Sequence, residues 1–250
     1  MKTRLAAVAA CSLLMTHVVQ AAEIKMLAAG AVKEAFLELV PQFESTTGNK
    51  VTATWTGSAD IRKRIGAGEV FDLVIVGAPD VDAFVKDGKM MPGSRVDIAR
   101  SGVGVAVKAG SPRPDISSSE AVKKALLSAR AVAYSTGPSG VYIQRLFDRL
   151  GIADQMKDKS RQPAPGTRVA QYLANGEAEL GFQQVSELVH EAGIDFLGPL
   201  PAEIQNVTVY SSGVPIGSNA SESAKALQAF LSAPAAAPVF RKNGMDPSHP

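Results

Sequence analysis

Beyond its first 21 residues the chain has no cysteine: the single thiol of the 250-residue sequence is Cys11. Disulfide scaffolds and thiol catalysis are thereby excluded for residues 22–250. Histidine is almost as scarce. Of three, His17 lies in the first 21 residues and His249 next to the end, so His190 is the one candidate for a triad base, at what reads as a solvated helix position. With so few thiols and imidazoles, neither a zinc site nor any other metal centre is expected. No segment reaches the roughly 20 uninterrupted apolar residues that a membrane span requires. Neither sign of charge dominates. Of 26 basic residues, Lys2 and Arg4 fall within residues 1–21, leaving 24 basic against 24 acidic. That balance argues against a nucleic-acid partner and against a basic membrane-binding face. Internal repeats and low-complexity linkers are also missing.

What is present begins with MKTRLAAVAACSLLMTHVVQAAE, a short basic start, an apolar run from Leu5 to Val19, and small residues around Ala21. This reads as an export signal, residues 1–21, cut near Ala21 or Ala22. Val8-Ala9-Ala10-Cys11 imitates a lipoprotein box, but too few apolar residues precede it to favour lipidation.

From Glu23 onward short apolar strands alternate with helices of period 3.6, the pattern of an α/β fold with a mostly parallel sheet. Strands are expected at 24–28, 51–55, 72–77, 101–110, 131–135, 195–200 and 207–216. Helices are expected from Val32 to about Thr46, from about Ser58, from Pro79 to Lys86, up to about Leu127, after Gly140, from Ser221 to Leu231 and from Ala235 to Lys242. DLVIVG (72–77) is continuously apolar, as a strand buried on both faces should be. The glycines of SGVGVAVKAG (101–110) suggest close packing or a crossover. No linker divides the chain; two lobes exchanging strands near 101–108 and 207–214 fit better.

Three strand-to-helix junctions share one chemistry: AAGAVKEAF (28–36), WTGSADIRKRI (55–65) and YSTGPSGVYIQRL (134–146). Ligands of open α/β sheets sit beyond the carboxyl ends of the strands. There, small residues let the backbone approach, and free helix N–H groups favour negative charge. Helix capping accounts for any one such junction; three in one chain point to an anion site. Gly137-Pro138-Ser139-Gly140 is not a nucleotide phosphate loop, since Val141 stands where a lysine is needed. It is not a hydrolase elbow either, because Ser139 is followed directly by glycine. Arg168, opening a helix in PGTRVAQYL, could clamp a carboxylate or be a surface arginine. Gln184, after the apolar strand LGFQ, could turn its amide into a cleft or be a turn residue.

The order of these features is similar to that of the periplasmic molybdate-binding-protein family of ABC-importer receptors: a small-residue turn, Gly-Ser opening a helix, Gly-Glu-x-x-Asp-Leu-Val-Ile, Pro-Ser-Gly-x-Tyr, and Asn-Gly-Glu-Ala-Glu-Leu-Gly-Phe. The resemblance covers nearly all of residues 22–250. It implies a type II two-lobed periplasmic-binding-protein fold, α/β with mixed sheets and two crossing strands. Lobe I would comprise 22–103 and 209–250, and lobe II 104–208. By the same resemblance Ser58 supplies a hydroxyl ligand, and Ser139 with Gly140 backbone N–H groups. At the first junction, where a serine is implied, this chain has Gly30 and Ala31; Gln184 stands in place of a tyrosine, and Arg168 near a backbone donor. These departures suit a larger ligand carrying carboxylates.

The segment SGVGVAVKAGSPRPDIS (101–117) also looks like a divergent branch of this family, one that resembles exported aconitate isomerase, which shifts a double bond in a tricarboxylate by proton transfer without a cofactor. Two expectations follow. One is a monomeric periplasmic receptor that holds a small anion, an oxyanion or a di- or tricarboxylate, for an importer permease. The other is a cofactor-independent isomerase on the same scaffold. For the second, Tyr134, Tyr142, Asp60 and Lys33 are candidate proton carriers, and none stands out.

Overall fold

The structure, a computed structural model, describes residues 22–164 and 167–248. The expected export signal, residues 1–21, and His249 lie outside them. The chain begins with β1 (Glu23–Ala29), a 3-10 turn (Gly30–Val32), α1 (Lys33–Thr47), β2 (Lys50–Thr56), α2 (Ser58–Gly66), β3 (Leu73–Gly77) and α3 (Ala78–Lys86), leading into β4 (Val96–Lys108). It continues through α4 (Ser119–Ser128), β5 (Val132–Tyr134), α5 (Pro138–Arg149), α6 (Ala153–Met156), β6 (Ser160–Arg161), α7 (Val169–Ala174), β7 (Leu180–Gln184) and β8 (Ile194–Pro199). It then returns through β9 (Val207–Gly213), α8 (Ser221–Ser232), α9 (Ala237–Lys242) and the short β10 (Asp246–Pro247). Among the described residues no helix is long and apolar enough to cross a membrane.

The strands follow the order β2-β1-β3-β9-β4-β7-β5-β6. β1 runs parallel to β2 and β3, and β5 parallel to β6 and β7, whereas β9 is antiparallel to β3 and β4. β4 joins the two halves. Its residues 96–102 pair with β9, and 103–108 pair with β7 and β8. The glycines in this strand serve the close packing their sequence suggested: a Cβ on Gly104 would lie 2.8 Å from the Phe196 ring and 3.1 Å from Leu188. One apolar core gathers around β1, β3, α1 and α8, another around β5, β7 and α5.

Two strand limits differ from expectation by three residues or more. β4 starts five residues earlier than 101, because Ile98 and Ala99 are buried although Asp97 and Arg100 flank them. β9 ends at Gly213 and not at 216, where Pro215 cannot continue a ladder as donor and makes only an isolated bridge to Met90. Among the helices α5 opens at Pro138, ahead of Gly140, and α9 at Ala237, behind a 3-10 turn from Pro234; elsewhere Gly48, at φ 74°, closes α1, and the Ser118 hydroxyl accepts from the Ala121 N–H at 3.1 Å to open α4, as expected.

Asp72 fixes the start of β3. Its carboxylate, 4% exposed, accepts from the N–H of Lys25 (2.9 Å), Asn219 (2.9 Å) and Ala220 (3.0 Å) and from the Ser218 hydroxyl (2.9 Å). Burial alone would raise its pKa, but these bonds outweigh it and hold the group below the usual carboxylate range. Asp72→Ala is expected to cost about 3 kcal/mol of stability in urea titrations, since buried donors lose their acceptor. In the native protein the same contribution is present above the unfolded carboxyl pKa, and is lost as pH falls through the lower folded value.

Candidate functional site

The three junctions meet. The first is the turn Gly30–Val32 after β1, the second the start of α2 after β2, and the third the start of α5 after β5. Together with Arg168, Gln183, Gln184, Glu187 and Tyr210 they line one cleft of about 220 Å³. That is below the range usual for drug-sized ligands, so the occupant is a small molecule.

Two helices present their N-termini here. Gly57 precedes α2 in an extended conformation, and its carbonyl already takes the N–H groups of Asp60 (3.0 Å) and Ile61 (3.1 Å). In α5 the Gly137 carbonyl takes Val141 N–H at 3.1 Å. The N–H groups ahead of these, at Ser58, Ala59, Ser139 and Gly140, belong to first turns that have no helical acceptor. Ser58 (3% exposed) and Ser139 (1%) are enclosed. Ser135 braces the third junction, with its hydroxyl 2.8 Å from that of Ser139 and accepting from Gly137 N–H at 3.2 Å. Gly140 has no alternative residue: a Cβ there would fall 1.5 Å from the Ser135 carbonyl oxygen.

Arg168 caps α7 and lies between the two halves. Its guanidinium donates to Glu34, in the first turn of α1, at 3.2 Å, and pairs with Glu191. A guanidinium has five donors, so the two carboxylates leave it capacity for a ligand. Gln184 also lines the cleft, but its amide serves the crossing strands. In the orientation that satisfies both ends, its Nε2 donates to the carbonyls of Ser101 (2.9 Å) and Gly102 (3.1 Å), and its Oε1 accepts from the Thr208 hydroxyl (2.9 Å). Gly30 and Ala31 stand at the first junction as expected, with Ala31 buried and Gly30 at the cleft wall.

Of the four candidate proton carriers, only Lys33 lines the cleft. Tyr134 is buried edge-on against Phe147, with ring centroids 5.6 Å apart. Tyr142 donates its hydroxyl to the Ile204 carbonyl at 2.7 Å. Asp60 sits outside the lining, and His190 is exposed in a turn rather than on a helix.

The group that the sequence did not single out is Glu187. It ends a 3-10 turn, Val185–Glu187, directly after β7. Part of its surface opens on the cleft, yet protein atoms surround the carboxyl closely enough to solvate its charge poorly. Burial raises its pKa to about 7, against the opposing pull of the Arg168 charge and of a hydrogen bond from Gln183. Gln183 is held in turn, its Oε1 accepting from the Val169 N–H at 3.1 Å. Space for the carboxylate comes from Gly30, where a Cβ would stand 3.2 Å from Glu187 Oε1. The missing serine of the first junction therefore has a structural counterpart: a carboxyl group occupies the room. The one sequence signal was an acidic residue just past the carboxyl end of an apolar strand. Among the described residues no group of three or more His, Cys, Asp or Glu could hold a metal ion.

The arrangement thus combines helix N-termini, two cations (Arg168 and Lys33) and a carboxyl group whose pKa burial raises to about 7. Comparisons place it among known proteins. A curated aconitate isomerase from a Pseudomonas species is 35% identical over 230 residues, covering 90% of this chain and 87% of that protein. The molybdate-binding protein ModA of Escherichia coli (strain K12) is 27% identical over 228 residues, covering 89% and 88%. The solved periplasmic molybdate-binding protein of Azotobacter vinelandii superposes with a TM-score of 0.75 at 19% identity, covering 89% of this chain and 98% of that one, which establishes the two-lobed fold. The family model described as "Bacterial extracellular solute-binding protein" matches residues 24–246, and the chain belongs to that family.

Proposed function

We propose that this solute-binding protein takes a small polycarboxylate into its cleft and isomerises it by proton transfer, as an aconitate isomerase does. The observation that carries this reading is Glu187, a carboxyl group poised near pH 7 beside Arg168 and facing the ligand space. A receptor for a permanent oxyanion gains nothing from a carboxylate there, because like charge opposes binding. A general base gains a great deal, since its best pKa lies near the working pH.

In the proposed reaction Glu187 removes a proton from the methylene carbon next to a substrate carboxylate. The C–H electron pair becomes a new C=C bond, and the old double-bond pair takes a proton at its far carbon. Atoms and electrons balance with one substrate and one product, without a cofactor. Arg168 and the N–H groups of Ser58, Ser139 and Gly140 hold the carboxylates, and Lys33 adds positive charge to the wall. Purified protein mixed with cis-aconitate should produce trans-aconitate on chromatography, with solvent deuterium entering the product in D2O. Unchanged substrate at high protein concentration would rule the activity out.

A second reading is supported by the opposed helix N-termini and the likeness to molybdate-binding proteins: a periplasmic receptor, exported by residues 1–21, monomeric, and read by an ABC importer when lobe I (22–103, 209–250) closes on lobe II (104–208). Thermal shifts separate the two, because a ligand that binds only the native state stabilises it. The first reading expects shifts with tricarballylate and the aconitates but none with molybdate, tungstate or sulfate. Arg168→Ala is expected to weaken tricarballylate binding by about tenfold to a hundredfold, the range of a charge-assisted contact. An equal loss for oxyanions and carboxylates would count against its role as a carboxylate clamp.

A further inference from the structure

Tyr210 sits in the middle of β9, paired with Gly77 of β3 on one side and Ala99 of β4 on the other. It is 1% exposed, and its ring belongs to the core around β1 and β3. Even so it contributes to the wall of the cleft. A buried tyrosine hydroxyl ordinarily finds a partner, as that of Tyr142 does in the Ile204 carbonyl. Among the described residues none hydrogen-bonds the Tyr210 hydroxyl, and its oxygen is not one of the fully enclosed unpartnered atoms, so it opens on the cleft that the residue lines. Its neighbour two residues back on the same face, Thr208, is held through Gln184 to the crossing strand β4, so the strand that carries the phenol is braced.

We infer that Tyr210 is a catalytic donor, its hydroxyl hydrogen-bonding the substrate carboxylate that gathers negative charge as Glu187 removes the proton. The inference rests on the isomerase reading above and adds the group that stabilises the enolate-like state. The donor is suited to that task. Burial, and then the facing Glu187 carboxylate, push the phenol well above its ordinary pKa, so it stays protonated and donates without giving up its proton. It lies on a buried strand paired on both sides, the setting in which a donor is fixed in place ahead of the reaction. The division of labour is then clear. Glu187 moves the proton, Arg168 and the helix N-termini hold the spectator carboxylates, and Tyr210 meets the charge that exists only in transit.

Tyr210→Phe tests this. Because the hydroxyl has no protein partner, the change removes no internal bond, and the variant is expected to fold with its melting temperature little altered. Turnover of cis-aconitate should fall about 100-fold in kcat, the size of one lost oxyanion donor. Binding of the unreactive tricarballylate, measured by calorimetry, should stay within about threefold, because the contact forms with developing charge and not with the ground state. A kcat within about threefold of the unaltered protein, or a loss residing wholly in KM and in tricarballylate affinity, would overturn the role of Tyr210 and leave the isomerase reading standing. If the unaltered protein binds tricarballylate but turns over no aconitate, both fall together.

Discussion

Glu187→Gln is expected to reduce cis-aconitate turnover by about a thousandfold, within the range that a positioned general base contributes. Glutamine keeps the shape and fills the space opposite Gly30, but its amide cannot take a proton from carbon. Binding should move the other way. Among the described residues Glu187 is the one acidic side chain in the cleft lining, and removing its charge ends its repulsion of a polyanionic ligand while Arg168 and the helix N-termini remain. Tricarballylate affinity should therefore rise while turnover collapses, a combination that a damaged fold cannot imitate. The pH dependence gives the same group a second signature. Its pKa is raised to about 7, so the carboxyl is protonated and inactive below that value and becomes competent above it. In the free enzyme kcat/KM should climb with pH through about 7 and lose that limb in Glu187→Gln. A bound polyanion disfavours the carboxylate further, so the corresponding limb in kcat should lie at higher pH. Stability carries the opposite sign. The raised pKa means that Glu187 costs the folded state nothing below the ordinary carboxyl value of 4.5, an increasing amount as pH rises from there to about 7, and a constant amount above. A kcat/KM profile flat from pH 5 to 9 in the unaltered protein would remove Glu187 from the mechanism.

The parts of this site that could be read from sequence are those encoded locally. Ser58, Ser139 and Gly140 follow from a strand running into a small-residue turn that opens a helix, and each such pattern is complete within about ten residues. The crossing strand was visible in its glycines, but its first half was not, because Asp97 and Arg100 interrupt the apolar run around Ile98 and Ala99. Arg168 was identified without its partners, since Glu34 is 134 positions away and the pairing exists only once the two halves meet. Gln184 lines the cleft, yet its amide is taken up by Ser101, Gly102 and Thr208. Glu187 and Tyr210 were missed for the same physical reason. A carboxyl becomes a base near neutrality through burial among residues 30, 168 and 183, and no periodicity or spacing encodes that. An anion site also directs attention to donors and cations, so an acidic residue reads as out of place. The strongest clue available was the pair Gly30-Ala31, whose lost serine leaves room that some other group has to fill.

Gly140→Ala is expected to cost roughly 3 kcal/mol of stability or more and to abolish measurable ligand binding. The added Cβ would stand 1.5 Å from the Ser135 carbonyl oxygen and 2.5 Å from its carbonyl carbon, inside any permitted contact. Both opposing atoms are backbone, so no side chain can rotate away. Either the strand end at Ser135 shifts or α5 does. Each movement carries off the N–H groups of Ser139 and Gly140 and breaks the contact between the Ser135 and Ser139 hydroxyls, 2.8 Å apart. Gly137→Ala supplies the control. Gly137 precedes α5 at φ −87°, a conformation open to any residue, and its Cβ would meet only the Ser135 hydroxyl at 3.7 Å, an ordinary contact. That change should cost less than about 1 kcal/mol and leave binding within about threefold. Urea unfolding measures the stability and calorimetry with tricarballylate the affinity. The contrast isolates the geometry of one junction, because the two glycines lie three residues apart at the start of the same helix, Gly137 in the cleft lining and Gly140 buried, and differ chiefly in what a methyl group would strike. Gly140→Ala that binds as well as Gly137→Ala would mean that α5 does not hold the ligand, and the carboxylates would then have to be held by Arg168, Lys33 and the start of α2 alone.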